Sequence, residues 1–466
     1  MIPQAARAEA GVGAATRDLS LLQALQETYD TNPRLLAARA RLRQTDETVP
    51  EALSGWRPHV TVEAQLGPGV YQNRIDRLHY PEHRAPQDYE LTVTQTLYAS
   101  GRVSDSLAQA RTRVLAQRAT LAAAEAQALL LAGAAYLNVV RDREILGLDR
   151  KQGAVLAHTL HANRVELAAG GIAQSDVAQS EARLEQQKAA TASAVAQLAG
   201  SEAAFEETVG SRPGLLLLPP VEFPTAATET AAVGRAMDAN PDMLAAQHTL
   251  EASRLGVDLA RDALLPQITL NGLLERQRQY EYELYSQSVN VAQALVQITV
   301  PLYQGGGEFA RIRQAKQGNL EAKEMVEQAS RDAVRMVHMG WANLLAARER
   351  IGEGAAATRA DRIAERGLAE QQQVGARTTI DLLNAQRETL ASEVAEISAR
   401  TDLLQSELML LDATGGLTLE HLDPAAPRHD PKVHYRDVHA QWAGESPPDS
   451  AALSPRRKPQ PGDIGR

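Results

Sequence analysis

The sequence predicts an α+β chain in which one unit, long helices with a pair of strands inserted, occurs twice. Three observations carry this. Local motifs recur at a nearly constant offset, the hydrophobic period changes from helical to two at matching points of both copies, and very long proline-free stretches follow each strand pair. Composition agrees. Aromatics make up 4% and charged residues 23% of the 466 residues, a mixture that suits long solvated helices better than a dense core.

The repeat is read from fixed spacings. Asn32-Pro33 returns as Asn240-Pro241, and Trp56-Arg57-Pro58 as Leu264-Leu265-Pro266, both at an offset of 208. Tyr98-Ala99-Ser100-Gly101 returns as Tyr303-Gln304-Gly305-Gly306, Tyr136-Leu137-Asn138 as Trp341-Ala342-Asn343, Gly170 with Asp176 as Gly375 with Asp381, and Val209-Gly210 as Thr414-Gly415, all at an offset of 205. Chance matches in Ala-rich sequence would not keep register. The units are 18–210 and 227–415, joined by a Pro-rich connector at 211–226 that forms an equatorial layer.

Each unit opens with a short helix interrupted at the Asn-Pro step, because proline disfavours helix in the residue before it. The next helix runs to about Ser54 or Asp262. The strand hairpins are 58–98 and 266–300. Val60, Val62, Ala64 and Leu66 alternate with Thr61, Glu63 and Gln65, and Leu91, Val93 and Leu97 with Glu90, Thr92, Thr94 and Thr96. In the fourth strand the apolar face switches near Ala292–Leu295, which predicts a bulge. Strands of about 9–11 residues suit a tilted membrane span, and the polar, Tyr-rich stretches 67–87 and 276–288 read as loops. Gly101, Gly305 and Gly306 are strand-to-helix turns. Helices 102–168 and 308–373 follow, each roughly 100 Å at 1.5 Å per residue. Gly170 and Gly375 turn the chain, and return helices 175–208 and 379–413 complete each unit.

Four strands cannot close a barrel, and open edges cannot sit in lipid. Several chains must therefore share one barrel. No run of about 18 apolar residues is seen, so no helix is expected to cross a bilayer. The start, 1–17, reads either as a disordered tail or as the remnant of a secretory signal on a truncated or misassigned terminus. The stretch 424–466, rich in proline and ending near Arg456-Arg457-Lys458, reads as a disordered tail.

These features resemble the TolC family of outer-membrane factors over about 18–423. Val374-Gly375-Ala376-Arg377-Thr378-Thr379-Ile380-Asp381-Leu382-Leu383-Asn384-Ala385 is similar to the family's second periplasmic tip, and Tyr303-Gln304-Gly305-Gly306 to its strand-to-helix junction. The resemblance implies a TolC-like homotrimer in the outer membrane of a Gram-negative bacterium. Its twelve-stranded barrel is shared, and a coiled-coil tunnel reaches into the periplasm. It also implies a passive exit channel working with a periplasmic adaptor (membrane fusion) protein and an inner-membrane transporter. By position, Ser175, Asp176 and Arg377 match the family's gate contacts and Asp381 an acidic ring. Asn384 replaces the second acidic position and Gln372 a tyrosine. The competing reading of Arg377 and Asp381 is an exposed i,i+4 pair, worth roughly 0.3 kcal/mol.

Other chemistry is not expected. A net charge of −10 disfavours nucleic acid. The absence of cysteine excludes disulfides, thiolate sites and a lipidated N-terminal cysteine. Gly305-Gly306-Gly307 lacks the lysine-serine/threonine of a phosphate loop, and His158 with His161 lacks a third ligand. No catalytic group, metal or cofactor is expected. Type I protein secretion is favoured over multidrug efflux because the lipidation cysteine is missing and Asp18-Leu19 with Asn32-Pro33 look like the secretion branch. A soluble coiled-coil scaffold would explain the helices but not the four strands.

Overall fold

The computed structural model describes residues 16–72, 81–219, 223, 225–280 and 286–444. In chain order these form β1 (Thr16–Arg17), α1 (Leu21–Thr31), α2 (Pro33–Asp46), α3 (Thr48–Ser54), β2 (His59–Leu66), β3 (Gly69–Gln72), β4 (Pro81–Arg84) and β5 (Gln87–Tyr98). There follow α4 (Arg102–Ala168), α5 (Gln174–Val209), β6 (Arg212–Pro213), α6 (Glu229–Ala239), α7 (Pro241–Asp262), β7 (Gln267–Tyr280) and β8 (Ser286–Thr299). The last elements are α8 (Gly307–Gln373), α9 (Thr379–Ala413), α10 (Leu419–Leu422) and α11 (Val433–Val438). The fold is α+β. The chain divides into two compact units. One contains the residues up to Ala40 with Ala119–Leu244 and Gln328–His429. The other contains Arg41–Arg118, Ala245–Glu327 and the residues from Asp430 on.

The first unit holds the main apolar core. Leu25, Leu129, Leu137, Tyr136, Phe205 and Leu408 are almost fully buried together. Tyr136 also ties the connector down. Its hydroxyl lies 2.9 Å from the Leu217 carbonyl, 3.1 Å from the Leu19 carbonyl and 3.2 Å from the Leu217 amide. Arg143 adds bonds to the Pro213 carbonyl (2.9 Å) and Glu202 (2.7 Å). One window of α4 is apolar enough to cross a bilayer by composition, contrary to expectation, but half of it is buried within the protein. Leu129, Ala132 and Val139 of α4 belong to this core.

Both Asn-Pro steps do the same work. The Asn32 side chain accepts from the Arg34 amide (3.0 Å) and donates to the Thr208 carbonyl at the end of α5 (2.9 Å). Asn240 accepts from the Asp242 amide (3.0 Å) and donates to the Ala413 carbonyl at the end of α9 (3.0 Å). One amide thus caps the helix that begins and satisfies a carbonyl of the helix that ends.

In the second unit the sheet order is β2-β5-β7-β8, all antiparallel, so the two hairpins lie side by side and β2 and β8 are the edges. The register separates a mainly apolar face from a mainly polar one. Val62, Leu91, Leu274 and Ala292 lie in one row across the sheet, and Val60, Val93, Gly272 and Ala294 in the next row on that face. Thr61, Thr92, Leu273 and Gln293 lie on the other face.

Several expectations are corrected. β7 pairs with β8 in unbroken register, so there is no bulge at Ala292–Leu295; the irregularity lies at Thr96/Tyr98 in β5. The face switch in β8 arises because Val289, Val291 and Leu295 sit on the otherwise polar face. The helix predicted to run to Ser54 breaks between Asp46 and Thr48, because Pro50 has no amide proton and its ring crowds the Asp46 carbonyl. In the second copy no proline intervenes and α7 is continuous. The loop stretch 67–87 contains the hairpin β3–β4, and β7 and β8 extend into 276–288; residues 73–80 and 281–285 lie outside the described residues. Thr16 and Arg17 pair in parallel with Arg212 and Pro213, whereas 1–15 lie outside the described residues.

Contrary to the disorder its composition predicts, the stretch from Pro424 is folded as far as Gly444. Tyr435 of α11 packs on Val49, Ala110 and Val114, beneath the Arg118 guanidinium. His434 is buried against Asp46 (3.2 Å) and Glu47 (3.5 Å). Residues 445–466 lie outside the described residues.

Candidate functional site

Two places concentrate chemistry: the sheet, and the turns that end the helical hairpins.

The sheet has one mainly apolar and one mainly polar face, and among the described residues nothing covers the apolar one. Val60 is 60% and Val62 75% exposed, and Leu274, Val296 and Ile298 are also exposed. In water this would be a large unpaid hydrophobic area. On the polar face Glu63, Glu90 and Glu275 stand directly opposite one another on three strands. Like charges at such spacing repel and need water around them, which marks this face as the wet one.

At the first tip Gly170 takes a φ of +81°, and its amide and that of Gly171 bond back to the Leu167 and Glu166 carbonyls, each at 2.9 Å. At the second, Gly375 takes +73°, and Gly375 and Ala376 bond to Gln372 (3.0 Å) and Gln371 (2.8 Å). This is the left-handed helix ending that favours glycine. Gly101, Gly305 and Gly306 take φ values of +98°, +71° and +81° at the strand-to-helix turns. A side chain at Gly101 would also meet the Asp262 carboxylate. That carboxyl is pushed up to about 6 by burial and then by neighbouring Asp105.

The tip residues singled out by sequence have local partners within the chain. Asp176 accepts from the Ala173 amide (3.3 Å), and Asp381 accepts from the Thr378 amide (3.1 Å) and hydroxyl (2.8 Å). Both are third-position caps of a return helix, the same task at the repeat offset. The Thr378 bonds hold the Asp381 carboxyl below the usual range. Arg377 donates to Gln371 (3.4 Å) rather than to Asp381 or Asp176. Ser175 is exposed.

What joins the two return helices is different. Arg183 of α5 donates to Asn384 of α9 (3.1 Å). Beside it, Leu383 is buried among Leu156, Leu160, Val177 and Leu184 of the first hairpin. The sequence pattern points to Asn384 and holds Leu383 in the same motif, whereas Arg183 carries no such signal, although it lies two helical turns after Asp176, on its face. Along the hairpins there are further polar rungs: Asn163 to Ser180 (2.6 Å), Gln187 to Asp149 (2.9 Å), Arg362 to Glu393 (2.6 Å) and Arg350 to Asp402 (3.1 Å). No group of three or more His, Asp or Glu side chains suited to a metal occurs among the described residues.

Known proteins share this architecture. The profile of the family described as "Outer membrane efflux protein" matches residues 232–416. The chain is 30% identical to the outer membrane efflux protein BepC of Brucella suis biovar 1, with 94% of each chain covered. It is 27% identical to the outer membrane protein TolC of Vibrio cholerae, covering 86% of this chain and 91% of that one. Among solved structures, the Campylobacter jejuni CmeC outer membrane channel superposes with a TM-score of 0.76 at 15% identity, over 94% of this chain and 97% of that one.

Proposed function

Because the chain belongs to the outer membrane efflux protein family, the TolC family, and so is an outer-membrane transport protein of a Gram-negative bacterium, we propose that three copies form the passive exit duct of a tripartite export system. The observation that carries this is the sheet. It has four strands, two open edges, one bare apolar face and one polar face. Pairing β8 of one copy with β2 of the next satisfies both edges, and three copies give twelve strands, with lipid outside and water inside. A periplasmic adaptor and an inner-membrane transporter would supply the energy.

The closing element in this reading is the helical tip. Asp176, Ser175, Arg377 and Asp381 line it, and Arg183–Asn384 with Leu383 bind the second return helix to the first hairpin. Bonds worth about a kilocalorie each can be exchanged for contacts with a docking partner.

For cargo, we favour type I protein secretion, supported by Asp18-Leu19 together with Asn32-Pro33. Asp18 has a structural place, accepting from the Leu215 amide (2.5 Å) in the connector. Multidrug efflux is the second reading, favoured by the name of BepC. Deletion of the gene in its host separates them. Loss of a large protein from the medium with unchanged drug tolerance supports secretion; sensitisation to small drugs with an unchanged secretome supports efflux. No change in either would refute an export duct.

A further inference from the structure

Residues 433–442 form a strap that leads to the helix-side rim of the sheet. Its anchors are buried His434 on Asp46 and Glu47, Tyr435 beneath Arg118, and Val438, which is fully buried. The strap ends on Arg57. One guanidinium nitrogen of Arg57 donates to the Gln441 carbonyl (2.7 Å), and its carbon lies 4.8 Å from the centre of the Trp442 ring. Arg57 stands two residues before the first residue of β2, so Trp442 is held where the sheet meets the helices.

Among the described residues none covers that indole, which is 72% exposed. Its surroundings on the rim are alike. Trp56 precedes β2 at 39% exposure, Tyr303 follows β8 at 77%, and Tyr98 ends β5 at 53%. Tyr98 pairs with Ile268, which places it on the apolar face. A ring of half-apolar aromatics at the edge of an apolar face suits the headgroup layer of a bilayer. The stacked guanidinium adds a cation at the level of the lipid phosphates.

We propose that the strap is a membrane-interface anchor: it sets Trp442 and Arg57 against phospholipid headgroups at the helix-side rim. This rests on the reading that the apolar sheet face meets lipid, and adds to it a contact supplied from outside the strands. The strap thereby couples α3 and α4 to the bilayer surface, fixing the depth at which the helices leave the membrane.

The test uses the full chain with Trp56→Phe and Trp341→Phe, so that Trp442 is the one indole, folded into phosphatidylethanolamine–phosphatidylglycerol vesicles. Lipids brominated near the headgroup should quench Trp442 more than lipids brominated deep in the tails, and aqueous iodide should quench it weakly. Arg57→Ala should shift its emission to longer wavelength and restore iodide quenching. Should the double variant fold poorly, the difference between the native protein and Trp442→Phe gives the same spectrum. Full iodide quenching without lipid quenching overturns the proposal. So does shielded emission insensitive to brominated lipid, which would place the indole against protein. A tryptophan at Val62 in a background lacking the other three separates the two claims. Deep-lipid quenching there with none at Trp442 removes the anchor alone. No lipid quenching at either site removes the lipid-facing sheet as well.

Discussion

An arginine at Val62 should be far more damaging than an arginine one residue away. Val62 is the fourth of eight residues in β2, so at about 3.4 Å per residue it lies roughly 10–14 Å from each end of the strand. Its row is Leu91, Leu274 and Ala292, all apolar. An arginine on the lipid face costs about 2–4 kcal/mol near the midplane and about 0–1 kcal/mol near the interfaces. With three copies in one barrel, Val62→Arg should cost roughly 6–12 kcal/mol per assembly. Thr61 is on the face of Thr92 and Gln293, and Thr61→Arg should cost close to nothing. The assay is urea-dependent folding into vesicles, read by the heat-modifiable band of the folded barrel. Wild-type and Thr61→Arg proteins should give that band at similar urea concentrations, with Val62→Arg displaced or absent. Equal losses for the two variants, or a greater loss for Thr61→Arg, would refute the assignment of faces.

Other outcomes follow from the first unit. Tyr136→Phe removes a buried hydroxyl shared by Leu19 and Leu217 and should cost about 1–3 kcal/mol, seen as a lower thermal midpoint. Gly415→Ala forces a side chain at a φ of +72°, 2.2 Å from the Ala239 carbonyl oxygen, and should sharply lower the yield of folded protein. The Asp412 carboxyl is pushed up to about 6 by burial and by Asp242. The folded state therefore holds its proton longer than the unfolded chain, and the stability this gives is full below about 4 and lost as pH rises through 6. Asp412→Asn should flatten that loss and be more stable at pH 8, by up to about 3 kcal/mol. At the tip, Leu383→Asp or Arg183→Ala should raise single-channel conductance in planar bilayers; unchanged conductance would place closure elsewhere.

How legible all this was depended on the range over which each feature is encoded. Strand faces are written at a period of two, so Val60, Val62, Leu91 and Val93 could be sorted from Thr61, Glu63, Thr92 and Thr94 before any pairing was known. The Asn-Pro steps were visible as helix boundaries, but not their bonds to Thr208 and Ala413, some 170 residues away. The fourth strand misled because Val289, Val291 and Leu295 put apolar side chains on a polar face, which a local pattern reads as a bulge. Pro50 breaks the helix between Asp46 and Thr48, a signal that lies in the sequence itself. The folded segment up to Gly444 escaped because its anchors, Asp46, Arg57 and Arg118, lie more than 300 residues earlier, and its own composition is that of a loose tail. At the tip the caps Asp176 and Asp381 stood out because they repeat. Arg183 has no counterpart in the repeat: its equivalent position holds Glu388.

The central claim is that this four-stranded sheet is one third of a barrel. Native mass spectrometry of the folded protein released from nanodiscs measures that directly. A shared barrel gives a single species of three chains whose strand content survives the measurement conditions. A species of one chain, still folded and rich in strand, would contradict it, because the edges of β2 and β8 would then be satisfied without a second copy.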